Sequence, residues 1–138
     1  MSNNLAVIFA LVAMVSWGIW AIFADMATQS LEPEVAMIVS YLVGIAIALG
    51  YVLALGKDLS VGGSGLTFAI LAGVFSGIAA VAFYAGLSYG RTGIVTTVSA
   101  LYFVVAALLG VLVLGDSMDL TDIAGVGFGV LAVVMLAR

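Results

Sequence analysis

The sequence predicts an all-α membrane protein, a bundle of five transmembrane helices. Two-thirds of its 138 residues are apolar (66%) and only 7% are charged, whereas soluble domains are about half apolar and about 25% charged. Apolar runs of the length that crosses a bilayer, roughly 20 residues, recur along the chain. Charged and turn-forming residues collect between these runs, which separates one span from the next.

The predicted spans follow one another with short breaks. They are Leu5–Ala24, Val35–Leu55, Leu66–Leu87, Gly93 or Ile94 to Leu114, and Leu120–Ala137. Asp25 ends the first span. Pro33 and Glu34 open the second, because proline suits a first helical turn and an acidic residue suits the positive helix end.

The later breaks carry their own signals. The polar, glycine-rich segment Gly56–Gly65 predicts a flexible linker before the third span. Gly90 is placed to end the third helix and Thr92 to cap the fourth. Before the last span, Asp119 and Asp122 have the spacing of a capping pair. With no long soluble segment, the chain is expected to form a single domain.

Composition excludes several classes of function. The chain has no cysteine and no histidine, so disulfides, thiolate or imidazole metal sites and histidine-assisted nucleophiles are ruled out. A basic stripe for nucleic acid is also absent. We therefore predict no enzyme, no catalytic or metal site, no cofactor and no nucleic-acid partner. The lipid bilayer is the predicted surrounding.

Basic residues set the orientation of membrane proteins, and here they are nearly balanced. Lys57 falls on the amino-terminal side, whereas Arg91 and Arg138 fall on the other side. Three cations are few, and the chain could insert in a single orientation. The balance also allows dual topology, in which copies insert both ways and pair antiparallel.

Polar and aromatic residues within the spans are candidates for a substrate path. They are Trp17, Trp20, Tyr41, Tyr84, Ser99 and Tyr102. Rings near span ends also fit interfacial belts, and hydroxyls can bond to their own helix. Ser99 and Tyr102, however, lie near the middle of the fourth span. In a path, aromatic faces would hold apolar or cationic groups and hydroxyls would fix orientation.

Two further patterns bear on packing and coupling. Gly73 and Gly77 have the small-xxx-small spacing that lets helices approach closely, within the chain or between copies. No acidic or basic residue lies in the middle of a span. Because such residues mark proton relays, their absence argues against tight proton coupling through a buried carboxylate.

The sequence as a whole resembles one half of a drug/metabolite transporter of the EamA type. The segments that carry the resemblance are Ser16–Ala24, Leu31–Ala36, Ala82–Arg91, Val98–Tyr102, Leu112–Asp116 and Asp122–Gly125. Members usually have ten spans in two five-helix repeats of opposite orientation, with the substrate near the midplane. This chain supplies one repeat.

The resemblance implies a half-size transporter in the cell membrane that moves a small metabolite by alternating access. A homodimer, antiparallel if the topology is dual, would restore the ten-helix arrangement, and a separately encoded partner is the competing hypothesis. The alternative function is a non-transporting membrane subunit that pairs with another half or stabilises a complex.

The sequence departs from the family pattern in its fourth span. Thr97 and Phe103 stand where members commonly have proline, and Asp116 stands where glutamate is usual. Since proline kinks a helix by deleting a hydrogen bond, the fourth helix is expected to be straighter here. The second helix also lacks a basic residue that many members carry.

Dual topology predicts that an engineered cysteine in this naturally cysteine-free chain is labelled from outside intact cells in only a fixed fraction of copies. The variants Ser2→Cys and Ser60→Cys place one thiol each in amino-terminal-side segments. Partial labelling with a membrane-impermeant maleimide at both sites is the expected result. All-or-none labelling at both sites would reject dual topology.

Overall fold

The computed structural model describes residues 3–136, and these are helical throughout apart from short connections and contain no strand. The elements are α1 (Asn3–Thr28), α2 (Pro33–Ala54), α3 (Gly63–Tyr89), α4 (Thr92–Ala100), α5 (Tyr102–Leu109), a π-helical turn (Gly110–Leu114) and α6 (Leu120–Leu136). The predicted all-α membrane class is confirmed.

Four helical segments are long and apolar enough to cross a membrane: α1, α2, α3 and the combined segment Thr92–Leu114. The last helix, α6, has 17 residues and measures about 26 Å at 1.5 Å per residue. That is slightly short of the roughly 30 Å hydrocarbon core. The predicted end of this span, Ala137, lies outside the described residues.

Two predicted helix starts are confirmed in detail. Pro33 is the first residue of α2. At α6, the Asp119 N–H donates to Asp122 Oδ2 at 3.0 Å, and the Asp122 N–H donates to Asp119 Oδ1 at 2.8 Å. This reciprocal pair satisfies two of the amide groups that a helix start leaves without partners.

The start of α4 differs from the prediction. Thr92 is the first helical residue rather than the cap, and Arg91 occupies the cap position without a side-chain hydrogen bond. The Thr92 carbonyl accepts a hydrogen bond from the Thr96 hydroxyl instead.

The fourth span is interrupted although it contains no proline, and its straightness relative to family members stays a prediction. At Leu101, ψ is −7° and the α-helical pattern stops. Backbone hydrogen bonds here join residues three apart instead of four, as where the Val104 N–H donates to the Leu101 carbonyl at 2.9 Å. Just before the break, the hydroxyls of Thr96 and Thr97 bond to carbonyls one turn back, an arrangement that bends helices. Hydroxyl back-bonding therefore accompanies a break that contains no proline.

The described chain forms two compact units, residues 3–89 and 90–136; the single-domain organisation stays a prediction. In the first unit, the buried apolar side chains are Ala21, Ala24, Ala36, Ala80, Tyr84 and Leu87. They lie late in α1, early in α2 and late in α3, and we call this region the packed end. Toward the other end, a Cβ added at Gly44 or Gly73 would meet no atom within 4 Å. The three helices are thus packed mainly at one end.

The second unit is held by a different contact. Phe103 of α5 lies against Gly129 of α6, where an added Cβ would come within 2.5 Å of the Phe103 ring. Gly125, one turn earlier, has no neighbour of this kind within 4 Å. Of that glycine pair, only Gly129 is a close-packing position within the described chain.

The capping pair predicts a measurable contribution to stability. Asp119→Ala removes the acceptor for the Asp122 amide, and loss of such a cap costs about 1 kcal/mol. Thermal unfolding of the purified protein in detergent should therefore shift downward. Asp119→Asn is the control, because asparagine caps helices equally well. An Asp119→Ala variant as stable as the asparagine variant would show that the cap contributes nothing.

Candidate functional site

Three aromatic rings meet at the packed end of the first unit. The Trp20 indole stacks on the Phe83 ring with centroids 5.1 Å apart and planes at 22°. Tyr84 meets both rings edge-on, at 5.8 Å from Trp20 and 6.4 Å from Phe83. These distances lie in the range in which aromatic pairs attract one another beyond the effect of burial. We call the three rings and Ser40 the aromatic cluster.

Ser40 of α2 joins the cluster through a hydrogen bond. The Trp20 Nε1–H donates to the Ser40 hydroxyl at 3.1 Å, which links α1 to α2. An indole has one donor and no acceptor, so this bond uses all of its hydrogen-bonding capacity. Any further contact that Trp20 makes is with its ring faces and edges.

Tyr84 is the most buried large side chain among the described residues, with 1% of its surface exposed. Its ring meets Trp20 of α1 and Phe83 of its own helix. Of the residues expected to line a path, Trp20 and Tyr84 are therefore brought together, and Tyr84 would contact a ligand only after the helices separate.

The other two candidates of the first unit lie apart from this cluster. Trp17 is 61% exposed and Tyr41 is 40% exposed, and neither has an aromatic partner within residues 3–136. Trp17 lies three residues before Trp20, which offsets it by only about 60° around α1, yet its ring is exposed. In a membrane, exposed rings such as these face lipid or another protein surface.

Ser99 and Tyr102 belong to the second unit and flank the break at Leu101. Tyr102 is 62% exposed and Ser99 is also exposed. Within the described chain, the Thr96 and Thr97 hydroxyls bond to carbonyls of their own helix, whereas no such bond is present at Ser99. The Ser99 hydroxyl and the Tyr102 phenol thus lie on either side of the same irregular turn.

Two members of the cluster, Ser40 and Phe83, were not among the predicted site residues. Ser40 carried a signal, since it is a polar residue within the second span. Phe83 carried a weaker one, because it immediately precedes Tyr84 in the segment that resembles the family. Neither signal specified a partner on α1, since the contacts join residues far apart in sequence.

The acidic residues of the second unit are engaged in backbone structure. Asp119 and Asp122 form the capping pair, and Asp116 packs over Gly110. Within the part of the chain that the structure describes, no group of three or more potential acidic ligands is arranged to hold a metal ion. These carboxylates are explained by turn and helix-end geometry.

A shallow recess lies at the packed end, beside the connection from α1 to α2. It measures about 520 Å³ and is lined by Thr28–Glu34 together with Ala85, Ser88 and Tyr89. At its edge, the Thr28 hydroxyl donates a hydrogen bond to the Asp25 carbonyl at 2.8 Å. The recess is polar and open, as expected of a loop at the membrane surface.

The long apolar helices indicate an integral membrane protein. Residues 4–138 match the EamA-like transporter family, part of the drug/metabolite superfamily. The chain belongs to this family. No curated protein and no solved structure matched it.

The cluster predicts that Ser40→Ala weakens the contact between α1 and α2. Hydrogen bonds between membrane helices contribute about 0.6 kcal/mol on average and about 1.7 kcal/mol at most, so the loss should be modest. In a Trp17→Phe background, Trp20 is the only tryptophan, and its quenching by brominated lipid should increase when Ser40 is replaced. Ser16→Ala is the control, because the Ser16 hydroxyl bonds to its own helix at Val12. Equal quenching in both variants would contradict the proposed restraint on Trp20.

Proposed function

We propose that this chain is a half-size transporter that moves a small metabolite across the cell membrane by alternating access, as a homodimer. Family membership supports transport as the class of function. The finer statement rests on one observation, the uneven packing of α1, α2 and α3. These helices are closely packed at the end that holds the aromatic cluster and loosely packed toward the other end.

Uneven packing is what alternating access requires of a bundle in one of its states. A substrate site near the midplane must be closed to one side of the membrane while it is open to the other. In this interpretation the packed end is the closed side, and the contacts among Trp20, Ser40 and Phe83 hold it shut. Opening that side would separate the rings and expose Tyr84.

The energies of these contacts suit a gate. Each aromatic pair contributes about 0.5–1.5 kcal/mol beyond burial, and the Trp20–Ser40 bond adds a similar amount. Changes of a few kcal/mol are what a differential ligand affinity can offset. The gate is thus strong enough to populate a closed state and weak enough to open during transport.

The homodimer is supported by the number of spans and by the loop charges. Family members usually have ten spans, whereas this chain has four long apolar helices and one shorter apolar helix within the described residues. A second copy in the opposite orientation would complete the inverted repeat. Lys57, Arg91 and Arg138 impose little preference for one orientation.

In this proposal, the six predicted residues contribute in different ways. Trp20 and Tyr84 belong to the gate. Trp17 and Tyr41 present exposed rings, and Ser99 and Tyr102 present polar groups beside the break in the fourth span. The substrate is therefore expected to be small, with an apolar or cationic part that contacts rings and a polar part that contacts hydroxyls.

Ser99→Ala and Tyr102→Ala are predicted to lower flux without lowering the amount of folded protein. Loss of a hydrogen bond to substrate costs about 1 kcal/mol or more, so flux should fall at least about fivefold. Release of amino acids, nucleosides, polyols and quaternary amines from loaded proteoliposomes, followed by mass spectrometry, measures it.

Ser16→Ala and Tyr89→Ala serve as matched controls for these variants. The Ser16 hydroxyl is engaged by its own helix, and Tyr89 is 93% exposed at the end of α3. Both controls should retain wild-type flux. Wild-type flux in the Ser99 and Tyr102 variants would remove them from the path. No release of any compound by the wild-type protein would favour the non-transporting subunit.

A further inference from the structure

The end of α2 provides a reference for how a helix in this chain normally terminates. Gly56 adopts the left-handed conformation, with φ of 60°. The following amide, that of Lys57, donates to the Val52 carbonyl at 3.0 Å. This bond runs back over five positions, from 57 to 52, as in the Schellman motif that commonly closes α-helices.

The end of the fourth span has the same elements but contains one additional residue. Gly115 is also left-handed, with φ of 74°. The following amide, that of Asp116, donates to the Gly110 carbonyl at 3.1 Å, six positions back. The Gly115 amide donates to the same carbonyl. The additional residue is accommodated in the widened π-helical turn Gly110–Leu114.

The Asp116 side chain also contacts Gly110. Asp116 Oδ2 lies 2.8 Å from the position that a Cβ on Gly110 would occupy, and Gly110 is buried. Residue 116 is thus hydrogen-bonded to Gly110 through its amide, and its carboxylate packs over the same glycine. We call these two contacts the Asp116 latch. The latch requires glycine at position 110, since any side chain there would displace the carboxylate.

The helices on either side of this turn are each held by a contact of their own. Phe103 packs on Gly129 near the start of α5, and the capping pair holds the start of α6. Between them lies an open recess of about 760 Å³ lined in part by Asp116, Ser117 and Thr121. An open recess therefore borders the Asp116 side chain, and the helices on both sides of the turn are anchored.

We propose that the turn Gly110–Leu114 is a two-state hinge and that the Asp116 latch selects its π-helical form. When the latch opens, the Gly115 and Asp116 amides can leave the Gly110 carbonyl and bond to that of Val111. The Asp116 bond would then span five positions, as the Lys57 bond does at the end of α2. The turn then becomes α-helical. A change of one residue in register corresponds to a rotation of about 100° around the helix axis.

A π-helical turn within a membrane helix is a feature often found at functional sites. Here the rotation would change which side chains of the fourth span's last turn face the neighbouring surface. The use of this hinge in alternating access rests on the proposed transport function. The hinge itself does not, because it follows from contacts within residues 103–129.

Hydrogen exchange on the full-length protein in lipid nanodiscs tests the latch, with peptides covering residues 110–116 as the readout. Gly110→Ala places a Cβ where the Asp116 carboxylate lies, and overpacking of this kind costs about 1–3 kcal/mol. Because the amides lose their bonds to Gly110 before they form those to Val111, exchange in the turn should rise, by at most the roughly 5- to 150-fold equivalent of that energy. Asp116→Ala should also raise exchange in the turn, because it removes the carboxylate that packs over Gly110.

The double variant distinguishes a latch from two unrelated defects. If Gly110→Ala acts by displacing the carboxylate, it should add little in an Asp116→Ala background. Gly127→Ala is the matched control, since a Cβ there meets nothing within 4 Å, and its exchange should equal that of the wild type. Additive effects of the two substitutions, or an equal effect of Gly127→Ala, would overturn the proposal.

Flux measured on the same variants separates the hinge from the transport function. A working hinge predicts that Gly110→Ala lowers flux while Gly127→Ala does not. If the wild-type protein transports nothing but the exchange effects are non-additive, the hinge stands and the transport proposal fails. If flux is normal in all variants and the effects are additive, the hinge fails and transport stands.

Discussion

The hydrogen bond from the Trp20 indole to the Ser40 hydroxyl, together with the rings stacked around it, holds α1, α2 and α3 at one end. Such contacts matter more in lipid than in water, because burial of apolar surface no longer drives helices together. Most large apolar side chains of this protein are exposed on the protein surface and gain nothing by leaving lipid. Association must then come from close approach and from satisfied polar groups.

The same constraint explains the small residues at the packed end. Ala21, Ala24, Ala36 and Ala80 are buried there, and short side chains let the helix backbones approach closely. Where the helices carry Gly44 and Gly73 instead, no neighbour lies within reach of an added Cβ. Close packing and open packing thus coexist along the same three helices, and a transporter that alternates between two open states needs this property.

Much of the fold was predictable from the sequence, for identifiable physical reasons. Apolar runs report the spans directly, since their length is set by bilayer thickness. Pro33 and the Asp119–Asp122 pair act locally, so their roles could be inferred from neighbouring residues alone. The break at Leu101 and the π-helical turn could not be inferred in this way. The break is accompanied by hydroxyl back-bonding and the π-helical turn by the fit of Asp116 over Gly110, and these contacts become apparent only when the chain is folded.

The candidate site shows the same division. Aromatic and polar residues within spans identified Trp20 and Tyr84, but Ser40 and Phe83 were missed because their partners lie on other helices. Trp17, Tyr41, Ser99 and Tyr102 are exposed in the single chain. Their proposed role therefore depends on a surface that a second copy would complete.

Mixing active with inactive chains shows whether transport needs a second copy. Wild-type protein and Tyr102→Ala would be co-expressed in equal amounts and reconstituted together, once the variant alone is shown to be inactive. If both chains of a dimer must be active, flux falls to about one quarter of the wild-type value, because only that share of symmetric pairs is fully wild type. Flux that falls in proportion to the wild-type fraction, to one half, would contradict the claim and show that each chain works alone.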